Sequence, residues 1–248
     1  MASSSSGNSI YVSTGRTRIL IDAGLSRRET FRRISNIGED PEKLDAILVT
    51  HEHSDHVAGL IRIARKLHIP IYASRLTAQV IDWDGYTPKL EAFQAGTSFS
   101  VGEIEVQSFS IPHDAVDPVG FALRAQGVKI GVATDLGYLP ESIHFHLRGT
   151  HCLLLESNHD LDMLKVGPYP WSVKQRVMSR RGHLSNDVVS QFITEHLDSS
   201  VATLMLGHLS EHNNHPEIVR LTAAQAIEGR RHGANLVVRS EEHTSELQ

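Results

Sequence analysis

Apolar positions along the chain alternate between two periods, and the switches mark out the elements. Ser9 to Val12 and Arg18 to Ile21 are short, β-branched runs separated by Gly15-Arg16, which predicts a hairpin at a sheet edge. Arg27 to Ile37 has helical composition and stops before Gly38, and Ala46-Ile47-Leu48-Val49 is a continuous apolar strand buried on both faces. Val57, Leu60, Ile61, Ala64 and Leu67 recur at helical spacing, and Pro70 introduces a strand at Ile71-Tyr72. From Ser98 to Val132 the text is strand-like, with alternation at Ile104, Val106 and Ser108, again at Phe121 and Leu123, and a turn at Gly127. Helical patterns over Trp171 to Ser179, Asn186 to Leu197 and Pro216 to Ile227 are separated by buried strands at Leu153 to Leu155 and Thr203 to Leu206. This order predicts an α/β fold of two mixed β-sheets packed face to face and covered by helices. Without repeats or a low-complexity linker, residues 1–238 read as a single domain. The polar, aperiodic segment 239–248 is expected to be a non-native or disordered tail.

Composition changes this picture at one point. Hydrophobic residues at 40% and charged residues at 21% are ordinary globular usage, which argues against a disordered, fibrous or membrane-embedded chain. Histidine is the exception, with 16 residues, and neutral imidazole is the commonest metal ligand. A formal charge of -5 excludes the strongly basic balance of proteins that coat nucleic acid and leaves room for a local basic groove. Three of the acidic residues, Glu241, Glu242 and Glu246, and the basic Arg239 lie in the expected tail, so the remainder carries -3. The single Cys152 opens an apolar run and reads as a buried small hydrophobe. The first residues lack a basic and apolar leader pattern, no run approaches the ~18 apolar residues of a spanning helix, and the expected compartment is the cytoplasm.

The candidate chemistry begins where the strand Ala46–Val49 ends. His51-Glu52-His53-Ser54-Asp55-His56 places four ligand-type residues within six positions. In an extended loop His51 and His53 project to one side and can share a cation, while Asp55 and His56 turn the other way. Two adjacent ligand pairs suit two adjacent cations, an arrangement used to hydrolyse phosphate esters. His113, in Ile111-Pro112-His113-Asp114, Asp135, after Ile130 to Thr134, and His208, after Leu204 to Gly207, are further ligand types at strand ends. Asp135, as a carboxylate, can bridge both ions. The donor set suits zinc and also admits manganese or iron.

With these motifs in place the sequence resembles the metallo-β-lactamase-fold hydrolases, through Asp22-Ala23-Gly24, His51-x-His53-x-Asp55-His56, His113, Asp135 and His208, over Ser3 to about Val238. Four further strings are similar to the WalJ/YycJ-type branch: Ser5-Ser6-Gly7-Asn8, Glu156-Ser157-Asn158-His159-Asp160, Gly182-His183-Leu184-Ser185-Asn186, and Gly207-His208-Leu209-Ser210 with Asn213-Asn214. The resemblance implies a four-layer αββα sandwich and a metal-dependent phosphodiesterase, an exonuclease acting on DNA 5′ ends. It also implies that His51, His53 and His113 hold one divalent ion and Asp55, His56 and His208 a second. Asp135 would bridge them and Asp22 would support the ligand loop from behind. His183 resembles the proton-donating histidine of tRNA 3′-processing relatives, with Glu156 to orient it, so Asp55, His183 and Glu156 are the expected catalytic residues. The expected substrate is nucleic acid or a small phosphodiester, with no membrane partner. A β-lactam or thioester hydrolase of the same fold is the alternative, and a metal-binding protein without turnover the third reading. Asp135 argues against the lactamase, since lactamases of this fold generally lack a bridging carboxylate. Arg176, Arg180 and Arg181, with Lys165, Lys174, Tyr169 and Trp171, form the densest basic and aromatic stretch, a solvated helix face or a nucleic-acid groove. Arg27, Arg28, Arg32 and Arg33 read as a polar helix face.

Overall fold

The computed structural model describes residues 7–239, which divide into two compact units. The first takes in residues 7–110 and 115–119, the second 111–114 and 120–239. The expected tail, from residue 240 on, lies outside the described residues, as do Ser5 and Ser6. Arg239 still follows the preceding strand, its amide donating to Leu206 O at 2.7 Å.

In the first unit the expected hairpin forms, β1 (Ile10–Ser13) against β2 (Arg18–Ile21), with Ile10 opposite Ile21. Helix α1 (Arg27–Asn36) starts at Ser26, whose hydroxyl accepts the Glu29 amide, and Glu29 pairs with Arg32 and Arg33 on the polar face. Strand β3 (Ala46–Leu48) is wholly buried and pairs parallel with β2. The stripe beginning at Val57 does not make one helix. It divides into a single turn, α2 (Ser54–Val57), and α3 (Leu60–Leu67). The division has a cause in the loop after β2. The Gly59 amide donates to Ala23 O at 2.7 Å, the Ala23 amide to His56 O at 2.8 Å, and the Gly59 Cα lies too close to Leu25 O to carry a side chain. Strand β4 (Ile71–Ser74) pairs parallel with β3, and after α4 (Arg75–Val80), β5 (Leu90–Phe93) pairs parallel with β4. The sheet order is β1-β2-β3-β4-β5. Leu20, Ile47 and Ile71 from the sheet pack with Ile34 of α1 and Leu60, Ile63 and Ala64 of α3 as the core. A second hairpin, β6 (Ser98–Val101) with β7 (Ile104–Ser110), completes the unit.

The second unit is built on parallel strands. β8 (Val119–Ala125) is antiparallel to β9 (Val128–Ala133) through the turn at Gly127. Beyond helix α5 (Glu141–Leu147), β10 (Cys152–Glu156) runs parallel to β9. Helices α6 (Leu161–Val166), α7 (Trp171–Val177) and α8 (Asn186–His196) lead to β11 (Thr203–Gly207), and α9 (Pro216–Gly229) leads to β12 (Asn235–Val238), both parallel additions. Helices α8 and α9 pack on each other and α9 also covers β12. Both sheets are therefore mixed and flanked by helices. Sequence periodicity missed α4, β5, α5 and α6, which are four to seven residues long and mostly exposed or only partly covered, so no apolar face repeats in them. Cys152, expected to be buried, is half-exposed at the start of β10, and its partial burial raises the thiol pKa.

Where strands run parallel, the loops leaving their carboxyl ends emerge on the same edge, and that edge is where α/β sheets carry their sites. Asp22 follows β2 and His51 follows β3 in this way. Asp135 follows β9, Glu156 ends β10 and His208 follows β11. Topology thus gathers residues far apart in sequence into one group in each unit.

The first of these loops tolerates no extra atom at Gly24, where a Cβ would lie 1.6 Å from Asp55 O and 2.6 Å from Asn8 N. Gly24→Ala is expected to lower stability by roughly 3 kcal/mol, the upper end of overpacking costs. Gly15→Ala, which meets nothing within 4 Å, is expected to change it by less than about 0.5 kcal/mol. Urea unfolding of the two variants beside the parent checks both, and equal midpoints would refute the close approach.

Candidate metal centre

In the first unit the ligand-type residues rest on a buried carboxylate. Asp22 has a left-handed backbone, φ +58°, and is essentially inaccessible. Its Oδ1 accepts the Thr50 amide at 2.8 Å, and its Oδ2 accepts the Thr50 hydroxyl and His56 Nδ1, both at 2.8 Å. These bonds assign the imidazole protons. His56 donates from Nδ1, which leaves the Nε2 lone pair facing Asn8 Nδ2 at 2.9 Å, with Asp55 Oδ2 at 3.5 Å. The Thr50 hydroxyl, having given its proton to Asp22, accepts from His51 Nδ1 at 3.0 Å. His51 then presents Nε2, 3.1 Å from His53 Nδ1. Two nitrogens bound to one tetrahedral zinc at about 2.05 Å stand roughly 3.3 Å apart, so this pair is spaced for sharing a cation. Asn8 also donates to Asp55 Oδ2 at 3.1 Å, and Glu52, between the two histidines, accepts the Val116 amide at 2.9 Å.

In the second unit another buried carboxylate does the same work. Glu156 accepts the Leu184 amide on Oε1 and the Asp135 amide on Oε2, each at 2.6 Å, and Oε2 also faces His183 Nδ1 at 3.2 Å. With two backbone donors already on it, Glu156 is an anchor for the loops that carry Asp135 and His183. Asp135 and His208 both have left-handed backbones, φ +61° and +55°, and His208 Nε2 lies 3.2 Å from Asp135 Oδ1. Asn158 Nδ2 donates to His208 O at 3.0 Å and holds that conformation. His113 Nδ1 donates to Gly182 O at 3.2 Å, which turns its Nε2 toward Asp114 Oδ1 at 3.5 Å and Asp135 Oδ1 at 4.0 Å. Asp135, Glu156, His183 and His208 each bring one ligand atom within 4.8 Å of the others. Burial alone would lower the His183 pKa, but the Glu156 charge and hydrogen bond, then Asp135 and Asp114, outweigh it and raise the pKa to about 9.

Every residue that the sequence singled out as a metal ligand, its support or a catalytic group falls in one of these two groups. Asp22, His51, His53, Asp55 and His56 lie in the first, and His113, Asp135, Glu156, His183 and His208 in the second. Imidazole and carboxylate donors of this density, with tautomers fixed by outer partners, suit a divalent cation. Thr50 was not singled out, and Asn158 stood only inside a string, with no role assigned to it. Their contacts span 28 and 50 residues of chain, and a neutral side chain carries no local signal of such a role.

The β-lactamase superfamily domain matches residues 17–209. The chain is 37% identical over 232 residues to the exodeoxyribonuclease WalJ of Streptococcus pneumoniae serotype 2 (strain D39), covering 92% of this chain and 86% of that protein. It is 36% identical over 231 residues to the exodeoxyribonuclease YycJ of Bacillus anthracis, covering 92% and 88%. The chain therefore belongs to the β-lactamase superfamily, in the group that contains WalJ and YycJ. Among solved structures, the metallo-β-lactamase fold protein YhfI of Bacillus subtilis matches with a TM-score of 0.70 at 17% identity, over 95% of this chain and 90% of that one, a likeness of fold.

Two outcomes follow. Asp22→Ala removes the acceptor that orients His56 and Thr50, and metal affinity is expected to fall by about 10- to 100-fold, read by competition with a chromogenic chelator. Unchanged affinity would show that the loop holds itself. His159 is buried, and burial, opposed by Glu156 and Asp160 and reinforced by His183, lowers its pKa to about 4. Asp187 also opposes the shift. Because the folded state resists its protonation, the contribution is complete above the unfolded value near 6.5 and is lost as pH falls from there to about 4, by at most roughly 3 kcal/mol. His159→Phe is expected to flatten the stability profile across that window in denaturation at stepped pH.

Proposed function

We propose that the chain is a metal-dependent phosphodiesterase of the exodeoxyribonuclease type, its substrate DNA, with residues 1–238 acting as one catalytic domain. The observation that carries this reading is the pair of buried carboxylates, Asp22 and Glu156, that fix imidazole and carboxylate donors at the carboxyl ends of parallel strands. Family membership and the WalJ and YycJ relatives, named as exodeoxyribonucleases, support the substrate class.

The donors fit two divalent ions, zinc by default, with manganese or iron compatible. His51, His53 and His113 would hold one and Asp55, His56 and His208 the other, with Asp135 between them. Such ions supply an acidified water as nucleophile near neutral pH and offset the charge that grows on the phosphate oxygens. The chain's own residues do the rest. Asp22, through Thr50 and His56, keeps the Nε2 lone pairs of His51 and His56 turned to one side. Gly182 O keeps the His113 proton on Nδ1. His183, whose Nδ1 faces Glu156, would give a proton from its other nitrogen to the leaving alkoxide.

The metal-reconstituted protein is to be assayed on 5′-labelled single- and double-stranded DNA, RNA, bis(4-nitrophenyl) phosphate and a chromogenic cephalosporin. DNA shortened from an end is the expected result, and cephalosporin turnover without phosphodiester turnover would overturn the proposal. His183→Ala at full metal content is expected to slow DNA cleavage by about 10²- to 10⁴-fold. Bis(4-nitrophenyl) phosphate, whose 4-nitrophenolate leaves without a proton, should suffer much less. Equal losses on both substrates would remove His183 from the proton-donor role.

A further inference from the structure

The segment from Leu161 to Gly182 joins the loop after Glu156 to His183, and it has an unusual charge for this chain. It holds Lys165, Lys174, Arg176, Arg180 and Arg181 against Asp162, a balance of +4 in a protein of -5, so the remaining residues carry -9. Not all of these cations face outward. Lys174 is buried and its Nζ donates to Lys165 O at 2.7 Å, which removes it from the groove considered on sequence grounds, and Arg176 pairs with Asp114. Arg180 and Arg181 are exposed, Arg180 lying over the Tyr138 ring at 4.2 Å. Apolar surface accompanies them: Trp171 is 62% exposed, and Val166, Val173 and Met178 are exposed as well.

The far end of this arm is fixed to the site. The His183 amide donates to Val177 O at 2.9 Å, and Gly182 packs so closely on the carbonyls of Arg176 and Val177 that a Cβ would lie within 2.3 Å of both. Gly137, two residues past Asp135, packs as tightly on the backbone of Ser179 and Arg180. The turn bearing the two arginines is thus braced against the loop that carries Asp135, while Gly182 O holds His113. Helix α7 then runs back from Val177 to Trp171, roughly 10 Å at 1.5 Å per residue.

We infer that residues 161–182 form the binding arm for an unpaired strand of DNA, with Arg180 and Arg181 on its phosphates and Trp171 stacked on a base a few nucleotides from the cleaved bond. The inference rests on the phosphodiesterase reading and names where its substrate lies. An exposed indole on the same short segment as exposed guanidinium groups is the combination by which single strands are held without regard to sequence. A solvated helix face would need the cations and would have no use for so much exposed apolar surface.

The test is fluorescence anisotropy of the metal-loaded protein with a labelled oligothymidine carrying phosphorothioate linkages, over a series of KCl concentrations. Trp171→Ala is expected to weaken binding by about 5- to 100-fold. Arg180→Gln with Arg181→Gln is expected to flatten the plot of log K against log salt by about 1.4, two phosphate contacts on a single strand. Quenching of intrinsic fluorescence by the oligonucleotide should disappear in Trp171→Phe, because the other tryptophan, Trp83, is half-buried with its indole N–H on Ala78 O. Arg220→Gln, a partly exposed cation on α9 that pairs with Glu217, is the control and should leave affinity and slope alone. Parental affinity and slope in both arm variants would overturn the inference. Failure of the parent protein to turn over any phosphodiester, with binding still lost in the variants, would overturn the phosphodiesterase reading and leave the arm standing.

Discussion

Two buried carboxylates set the terms for everything around them. Asp22 and Glu156 are both closed to solvent, and a bare carboxylate in such a place costs several kcal/mol unless donors surround it. Each is surrounded in the same way, by backbone amides of a neighbouring loop and by an imidazole Nδ1. For Asp22 these are the Thr50 amide and His56, and for Glu156 the Asp135 and Leu184 amides and His183. Electrostatic need and geometric order are then one requirement. The donors cannot leave without exposing a buried charge, so the loops bearing the site residues are held as firmly as the strands they follow.

The same rigidity explains backbone strain. Asp22, Asp135 and His208 adopt left-handed conformations within two residues of the ends of parallel strands, where a non-glycine residue pays of the order of 1 kcal/mol or more. Aspartate tolerates this better than histidine. His208 needs outside help, which Asn158 gives by bonding its carbonyl. Asn158 belongs to a larger set of buried polar contacts in which Ser157, Asn186 and Asn214 bond one another and so tie together the loops after β10 and β11 and the start of α8. The strings around Glu156, His183 and His208 contain these residues.

What the sequence made legible was what sits close together along the chain. His51 to His56 announces itself by local spacing, and His113, Asp135 and His208 by following apolar runs that could only be strands. Parallel pairing of β9, β10 and β11 follows from their buried, β-branched or leucine-rich text, and it is this pairing that gathers Asp135, Glu156 and His208. Thr50 and Asn8 were out of reach as supports because their partners lie 28 and 47 residues away. The break between α2 and α3 was hidden for a similar reason, since it is imposed by the Ala23 to Leu25 loop and not by the helix's own residues. The histidine count also overstated the metal chemistry. The His144 and His196 rings lie tilted against each other, 4.3 Å between centroids, near Phe192, and among the described residues no third ligand type joins them in a group that could hold an ion.

Net charge is a poor guide to partner where charge is distributed unevenly along the chain. An acidic total of -5 conceals a segment of +4 lying next to His183, and a polyanion responds to the local field more than to the sum. Beyond a Debye length of about 8 Å at physiological salt, the remaining acidic surface is largely screened, whereas contacts within the arm are not. Acidic surroundings have a positive use in this arrangement. On the proposed reading they would disfavour adsorption of duplex across the rest of the molecule and leave the cationic arm as the place for a strand. An exonuclease would gain from that restriction, because a productive encounter would have to deliver a terminus to the site rather than spread a backbone over the whole surface.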